Sequence, residues 1–180
     1  MPKICQVRPW KVWRVLVLGL PIAMLTGWLP GFTQSASGEG LAEGTEAYAS
    51  PDGETPGADF SNREMQGVTF NLTNLREADL SGSDLQGASL YGAKLQDANL
   101  SNSNLRDATL DSAVFDGTNL TNAVLEDAFA FNTRFINVTV EGADFTNVPL
   151  RADALKVLCA NAEGVNPVTG RDTRETLGCS

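Results

Sequence analysis

The amino-acid sequence predicts an all-β repeat fold, a square coil of stacked five-residue sides with a short α-helix at its C-terminal end. Three observations predict it. A large apolar residue stands at all but one of the fifth positions from Phe60 to Leu150, a small residue stands two places before nearly all of them, and Gly, Asn or Asp stands two places after most.

The large column runs from Phe60, Met65, Phe70 and Leu75 to Phe135, Val140, Phe145 and Leu150, with Ala130 as its one short member. A period of five suits neither the helical 3.6 nor the strand period of two, so neither element could hold this column on one face. The chain must therefore turn once in every unit. Gly, Asn and Asp tolerate positive φ at low cost, and between Asn62 and Asn147 only Leu72, Glu77 and Ser112 depart from that set. If each unit forms one side of a square, residues twenty apart stack at about the 4.8 Å spacing of paired strands.

The small column must also face inward, because a larger group there would collide with its neighbours. Arg63 is the exception, and it predicts a first coil that is irregular or open at that corner. Each buried Leu or Phe contributes roughly 1.5–3 kcal/mol, against a backbone ordering cost of about 1–2 kcal/mol per residue. One coil is thus not self-sufficient, and neighbours must share a continuous core.

Units such as ADLSG, ANLSN, AKLQD and ADFTN resemble those of the pentapeptide-repeat family, over residues 58–150. The resemblance implies a right-handed quadrilateral β-helix, the pentapeptide-repeat solenoid, usually with a capping helix at one end. It implies little about activity, because a fold does not fix a function.

Upstream, Lys3, Arg8, Lys11 and Arg14 precede an apolar run from Val15 to Phe32, and Ser35, Ala36 and Ser37 offer a cleavage site. This is the pattern of a signal peptide over residues 1–37. A retained membrane anchor is the competing reading, since the run approaches the roughly 17 residues of a spanning helix. Pro21, Gly27 and Pro30 count against it. Cleavage would remove four basic residues and change the net charge from -9 to 9 minus 22, or -13. So acidic a surface repels nucleic-acid phosphates and anionic lipid, so no nucleic acid partner and no stable membrane insertion after cleavage are expected. Residues 38–57 read as a flexible, acidic Gly- and Glu-rich linker.

Past the repeat, residues 151–180 change period. Leu150, Ala154, Leu155, Leu158 and Ala162 fall at helical spacing, which predicts a helix covering the open end of the coil and its unpaired strand edges. Asn166-Pro167 and Gly170 mark turns, and Asp172 with Glu175 has capping-box spacing for a short last helix that Gly178 ends. Cys5 would leave with the signal, so Cys159 and Cys179 remain as an even pair in an exported protein. A structural disulfide is expected, with a redox switch as the alternative. The stretch LCANAEGVNPVTGRDTRETLGC is also similar to the C-terminal extension of exported cyanobacterial members of the family. That similarity implies a thylakoid-lumenal or periplasmic location.

The chain contains no histidine, which excludes histidine-based triads and zinc sites. The acids Asp59 and Asp79, Asp107 and Asp127, and Glu64 and Asp84 are expected to stack one coil apart. Such pairs could serve glycoside hydrolysis or hold a hard cation, but acids on a solvated surface are the plainer reading. No catalytic residue, cofactor or metal site is expected. Phe129, Phe131 and Ile136 put apolar side chains where outward residues are usually polar. They form a candidate surface for an unidentified protein partner, unless the chain's own C-terminal helix covers them, which is the preferred reading at this point. The function these features fit is a non-catalytic structural or protein-interaction module outside the cytoplasm. The alternative is a DNA-mimicking topoisomerase inhibitor, a role some proteins of the resembled family fill through width and negative charge. Export argues against it. The sequence leaves the oligomeric state open.

Overall fold

A computed structural model of the chain describes residues 55–180, all within the compact unit Ala42–Ser180. The expected signal segment and residues 38–54 of the linker lie outside the described residues.

The coil is built on a twenty-residue register. Asp59 pairs in parallel with Asp79, Thr69 with Ser89, Asn99 with Asn119 and Val124 with Asp144. Backbone bonds alternate up and down this ladder: Phe60 N–H donates to the Asp79 carbonyl (2.7 Å), and Asp79 N–H donates to the Ala58 carbonyl (2.9 Å). Twenty residues are four sides of five, so four walls follow. The first carries Phe60, Leu80, Leu100, Leu120 and Val140 inward, and the second Met65, Leu85, Leu105, Leu125 and Phe145. The third carries Phe70, Leu90, Leu110, Ala130 and Leu150, and the fourth Leu75, Leu95, Phe115 and Phe135. On the fourth wall the pairing lengthens into two parallel strands, β1 (Val114–Asp116) and β2 (Arg134–Ile136), with Phe115 opposite Phe135. Val114, Phe115, Phe135 and Ile136 are residue types that suit a pleated, extended chain.

Every column residue from Phe60 to Phe145 is buried, and Leu150 is half-buried. Where Ala130 leaves the column short, aromatic rings crowd the same coils. Phe135 stacks on Phe115 with centroids 5.2 Å apart and meets Phe145 edge-on at 6.4 Å. Inward hydroxyls are satisfied by the backbone, as buried polar groups must be. Ser103 Oγ donates to the Leu100 carbonyl in its own turn (2.7 Å), and Thr118 Oγ1 reaches back one coil to the Leu95 carbonyl (2.6 Å).

Arg63 does not break the first coil, contrary to expectation. Its carbonyl accepts from Asp84 N–H (2.8 Å), and Glu64 pairs with Asp84 in the regular register. The reason is its position at the start of the coil. An inward residue there can leave through the open end, and Arg63 is exposed, with its guanidinium carbon 5.8 Å from the Phe60 ring centroid. That is within cation–π range.

Positive φ recurs two places after the column residues throughout the series, and Asn132 alone departs from it. Leu72 (58°), Glu77 (57°) and Ser112 (62°) adopt it too, although a side chain there costs roughly 1–2 kcal/mol. The ladder imposes the turn, and the residue follows. Where glycine holds the position, space is also at issue: the Asn122 side chain fills the place a Cβ on Gly142 would take. Leu72, 70% exposed, lies in the same way over Gly92. Leu72→Asn should therefore raise the melting temperature by about 2–5 °C, from relief of roughly 0.5–1 kcal/mol. A melting temperature at or below that of the parent would show that Leu72 carries no strain.

After the last coil, α1 (Ala152–Asn161) buries Ala154 and Leu158. The chain then pairs with the end of the ladder, where the Glu163 carbonyl accepts from Gly142 N–H (2.8 Å). Asn166 is fully buried. Its Nδ2 donates to the carbonyls of Asn122 (3.2 Å), Ala123 (3.4 Å) and Gly142 (2.7 Å). Its Oδ1 accepts from the backbone N–H groups of Val168 (2.9 Å) and Thr169 (3.0 Å). The short helix α2 (Thr173–Leu177) is capped by Asp172, which accepts from the Arg174 and Glu175 N–H groups, and it ends at Gly178 with φ 67°.

Candidate interaction surface

The residue just before each column position points outward, so every wall displays one ladder of side chains. The first wall displays Asp59, Asp79, Asn99, Asn119 and Thr139, and the second Glu64, Asp84 and Asn104, followed by Val124 and Asp144, which are buried. Asp59 and Asp79, and Glu64 and Asp84, do stand side by side. Asparagines then break the acidic runs and use the carboxylates as acceptors. Asn99 Nδ2 donates to Asp79 Oδ1 (3.2 Å), Asn104 Nδ2 to Asp84 Oδ1 (2.8 Å) and Asn147 Nδ2 to Asp127 Oδ1 (3.0 Å). A general acid needs its carboxyl pushed up, but Asp59 moves the other way. The Ser61 backbone N–H (2.9 Å), then its hydroxyl (2.7 Å), hold it below the usual carboxylate range. Among the described residues no group of three or more Cys, Asp or Glu could hold a metal ion.

The third wall differs in kind. Its ladder of Thr69, Ser89, Thr109 and Phe129 carries no charge. Phe129 is 55% exposed, Phe131 49%, Tyr91 45% and Leu72 70%, and all four belong to this wall or to the corner that follows it. The preferred reading, in which the C-terminal helix covers this patch, is thereby corrected. The helix α1 packs through Ala154 and Leu158 and contacts β2 and α2, which leaves Phe129 and Phe131 in solvent. Ile136 ends β2 on the fourth wall and is half-buried, so it is not free surface in the same sense. Sequence reasoning missed Tyr91. The signal was available, since Tyr91 follows its column residue directly and precedes Phe131 by forty residues, two whole coils.

The corner of the patch is itself altered. Asn132 lacks the positive φ of its counterparts, and the bond from Ser112 N–H to the Phe131 carbonyl that a regular corner would make is absent. Asn132 N–H instead donates back to Asp111 Oδ1 (2.9 Å), and its Nδ2 to Oδ2 (3.4 Å).

Comparison with known proteins places this architecture. Residues 57–90 and 88–127 match the family described as Pentapeptide repeats, in eight copies. The crystal structure of a pentapeptide repeat protein from the Arabidopsis thaliana thylakoid lumen is 44% identical, with a TM-score of 0.69, and the match covers 71% of this chain and 90% of that one. The chain belongs to the pentapeptide-repeat family. Pentapeptide-repeat proteins fold as right-handed quadrilateral β-helices and are in general non-enzymatic structural modules. Two curated Arabidopsis thaliana proteins are also similar. Thylakoid lumenal 15 kDa protein 1 is 53% identical over 49 residues, 27% of this chain, and thylakoid lumenal protein TL20.3 is 48% identical over 40 residues, 22% of this chain. The matched segments span only 22% and 14% of those two proteins' own lengths.

In this pentapeptide-repeat protein the charge cluster around Arg171 has a structural task. Asp144 is fully buried, and burial opposes its ionisation. Bonds from the Thr146 hydroxyl (2.6 Å) and N–H (2.9 Å), from Thr169, and the charge of Arg171 outweigh that and hold the carboxyl below its ordinary range. Glu126 is likewise lowered, first by Arg171 (2.8 Å), then by Arg106 (3.2 Å). Arg171 thus ties the C-terminal segment to the second wall. The sulfurs of Cys159 and Cys179 are bonded, with Cα atoms 5.7 Å apart, linking α1 to the residues after α2. Among the described residues no helix is long and apolar enough to cross a membrane.

Proposed function

We propose that this pentapeptide-repeat protein is exported to the thylakoid lumen or periplasm and acts there as a non-catalytic protein-interaction module that binds through its third wall. One observation carries the reading: Phe129 stands about half exposed on an uncharged ladder, with Phe131 about half exposed at the corner beside it. Exposed aromatic groups on an otherwise polar surface mark contact sites. The lumenal location of the relatives and the basic and apolar pattern of residues 1–37 support export, and a Cys159–Cys179 disulfide suits an oxidising compartment. The DNA-mimic alternative gains nothing from the acidic ladders, which lapse at Asn99, Asn104 and Val124.

The test is affinity capture from the exported fraction with the parent and with a Phe129→Ser, Phe131→Ser variant. Capture of the specific partner should fall about ten-fold, equivalent to roughly 1.4 kcal/mol, while the melting temperature moves by no more than about 2 °C. Undiminished capture would remove the third wall from consideration, and a reporter that stays in the cytoplasm when fused to residues 1–37 would remove the compartment.

A further inference from the structure

We propose that the occupant of the third wall is a second copy of this chain, laid antiparallel against the first so that Tyr91 of each meets Phe131 of the other. The proposal rests on the reading of that wall as a binding surface. It adds the identity of the partner.

A two-fold interface must be complementary to itself. Along the wall the ladder runs Thr69, Ser89, Thr109, Phe129 in unbroken parallel register, and the corner beside it runs Asn71, Tyr91, Asp111, Phe131. Tyr91 therefore lies one coil before the coil of Thr109, and Phe131 one coil after it. A two-fold axis crossing the wall at Thr109 places Tyr91 opposite the second copy's Phe131, and small Ser89 opposite its Phe129. Each contact forms twice. Aromatic pairs of this kind favour offset or edge-on packing.

Charge selects the same wall. A contact on the first or second ladder would bury the carboxylates of Asp59, Asp79, Glu64 and Asp84 without a cation opposite, and one on the fourth would oppose Lys94 to Arg134. Only the third ladder brings two copies together without a charged ladder residue on either side. Asp111 falls beside the proposed axis and faces its own copy; bonds from Asn132 and from Ser112 Oγ hold its carboxylate back against its own corner, and the remaining repulsion weakens the contact. Four coils at about 4.8 Å make a contact about 19 Å long, small against the roughly 800 Å² per partner of a standard interface. The dimer is accordingly weak, with a Kd on the order of 10–100 μM. Because both copies are acidic, added salt strengthens it by screening their repulsion.

Sedimentation velocity on the full chain, purified from cells that export it, tests the proposal between about 5 and 500 μM, a range bracketing that Kd. The expected result is a monomer-to-dimer shift that grows with salt. Tyr91→Lys alone and Phe131→Glu alone should each hold the protein monomeric. The chain carrying both substitutions should dimerise again, now weakened by salt, because opposite charges then meet twice. Both positions are exposed, so thermal melting should show the fold intact in every variant. A parent that stays monomeric throughout, single variants that dimerise as the parent does, or a double variant that stays monomeric overturns the proposal. If the parent is monomeric and Phe131→Ser still loses capture of a different protein, the second copy is excluded and the binding wall stands. If capture is also unchanged, both fall.

Discussion

Asn166→Ala should lower the melting temperature by about 10–15 °C, one of the two largest single-residue effects expected here. Asn166 is fully buried, and its side chain makes five hydrogen-bond contacts, three from the two N–H groups of Nδ2 to carbonyls of the last coils and two as acceptor within its own loop. Alanine leaves the Asn122 and Gly142 carbonyls and the Val168 and Thr169 N–H groups without this partner, while the Ala123 carbonyl keeps its bond from Asp144 N–H; the cost is roughly 3–4 kcal/mol in total, and for a domain of this size each kcal/mol moves the midpoint by about 3–5 °C. Asn166→Asp provides the control. It keeps both acceptor bonds and loses both N–H donors, which three carbonyls share, while placing a negative charge among three carbonyl oxygens, so at neutral pH it should be at least as damaging. A fall of less than about 3 °C for the alanine variant would mean that the C-terminal segment is held to the coil by something other than this side chain.

Leu105→Ala should cost about 3–4 kcal/mol in urea denaturation. Leu105 is fully buried in the middle of the second column, with Leu85 one coil before and Leu125 one coil after, both also fully buried. A cavity there cannot collapse without moving the ladder, so the cost should fall within the roughly 2.7–5 kcal/mol seen for buried leucine truncations. The opposite error is instructive. Ala108→Leu, which overfills the small column, should cost about 1–3 kcal/mol, although its side chain is larger and more apolar. If Leu105→Ala costs under about 1 kcal/mol, the coils do not share one continuous core.

Most of the coil was legible in the sequence because one short period specified both burial and turning. Phe60 to Leu150 could be assigned inward, and the twenty-residue pairing followed from it. Leu72 shows where that reading stops. Its preference opposes positive φ, yet neighbouring coils hold its backbone there, and a residue's own propensity does not record the pull of its neighbours. Arg63 was misread for a related reason, since the cost of an inward cation depends on whether another coil lies beyond it. The docking of Asn166 and Arg171 was hidden altogether. Their partners Asn122, Glu126 and Asp144 lie 44, 45 and 27 residues away, and no pattern of spacing joins them. For the candidate surface, Phe129 and Phe131 stood out by breaking a polar pattern, whereas their exposure depended on the direction α1 takes after Leu150, which periodicity does not encode.

The twenty-residue register has a consequence for how such a chain can change length. Adding or deleting a single unit between Tyr91 and Phe131 would rotate everything downstream by a quarter turn, so the two aromatic side chains would look out over different sides of the prism. Only gains and losses of whole coils leave them aligned. Lineages that keep this surface should therefore differ in length by multiples of twenty between those positions, while other lineages remain free to drift by fives.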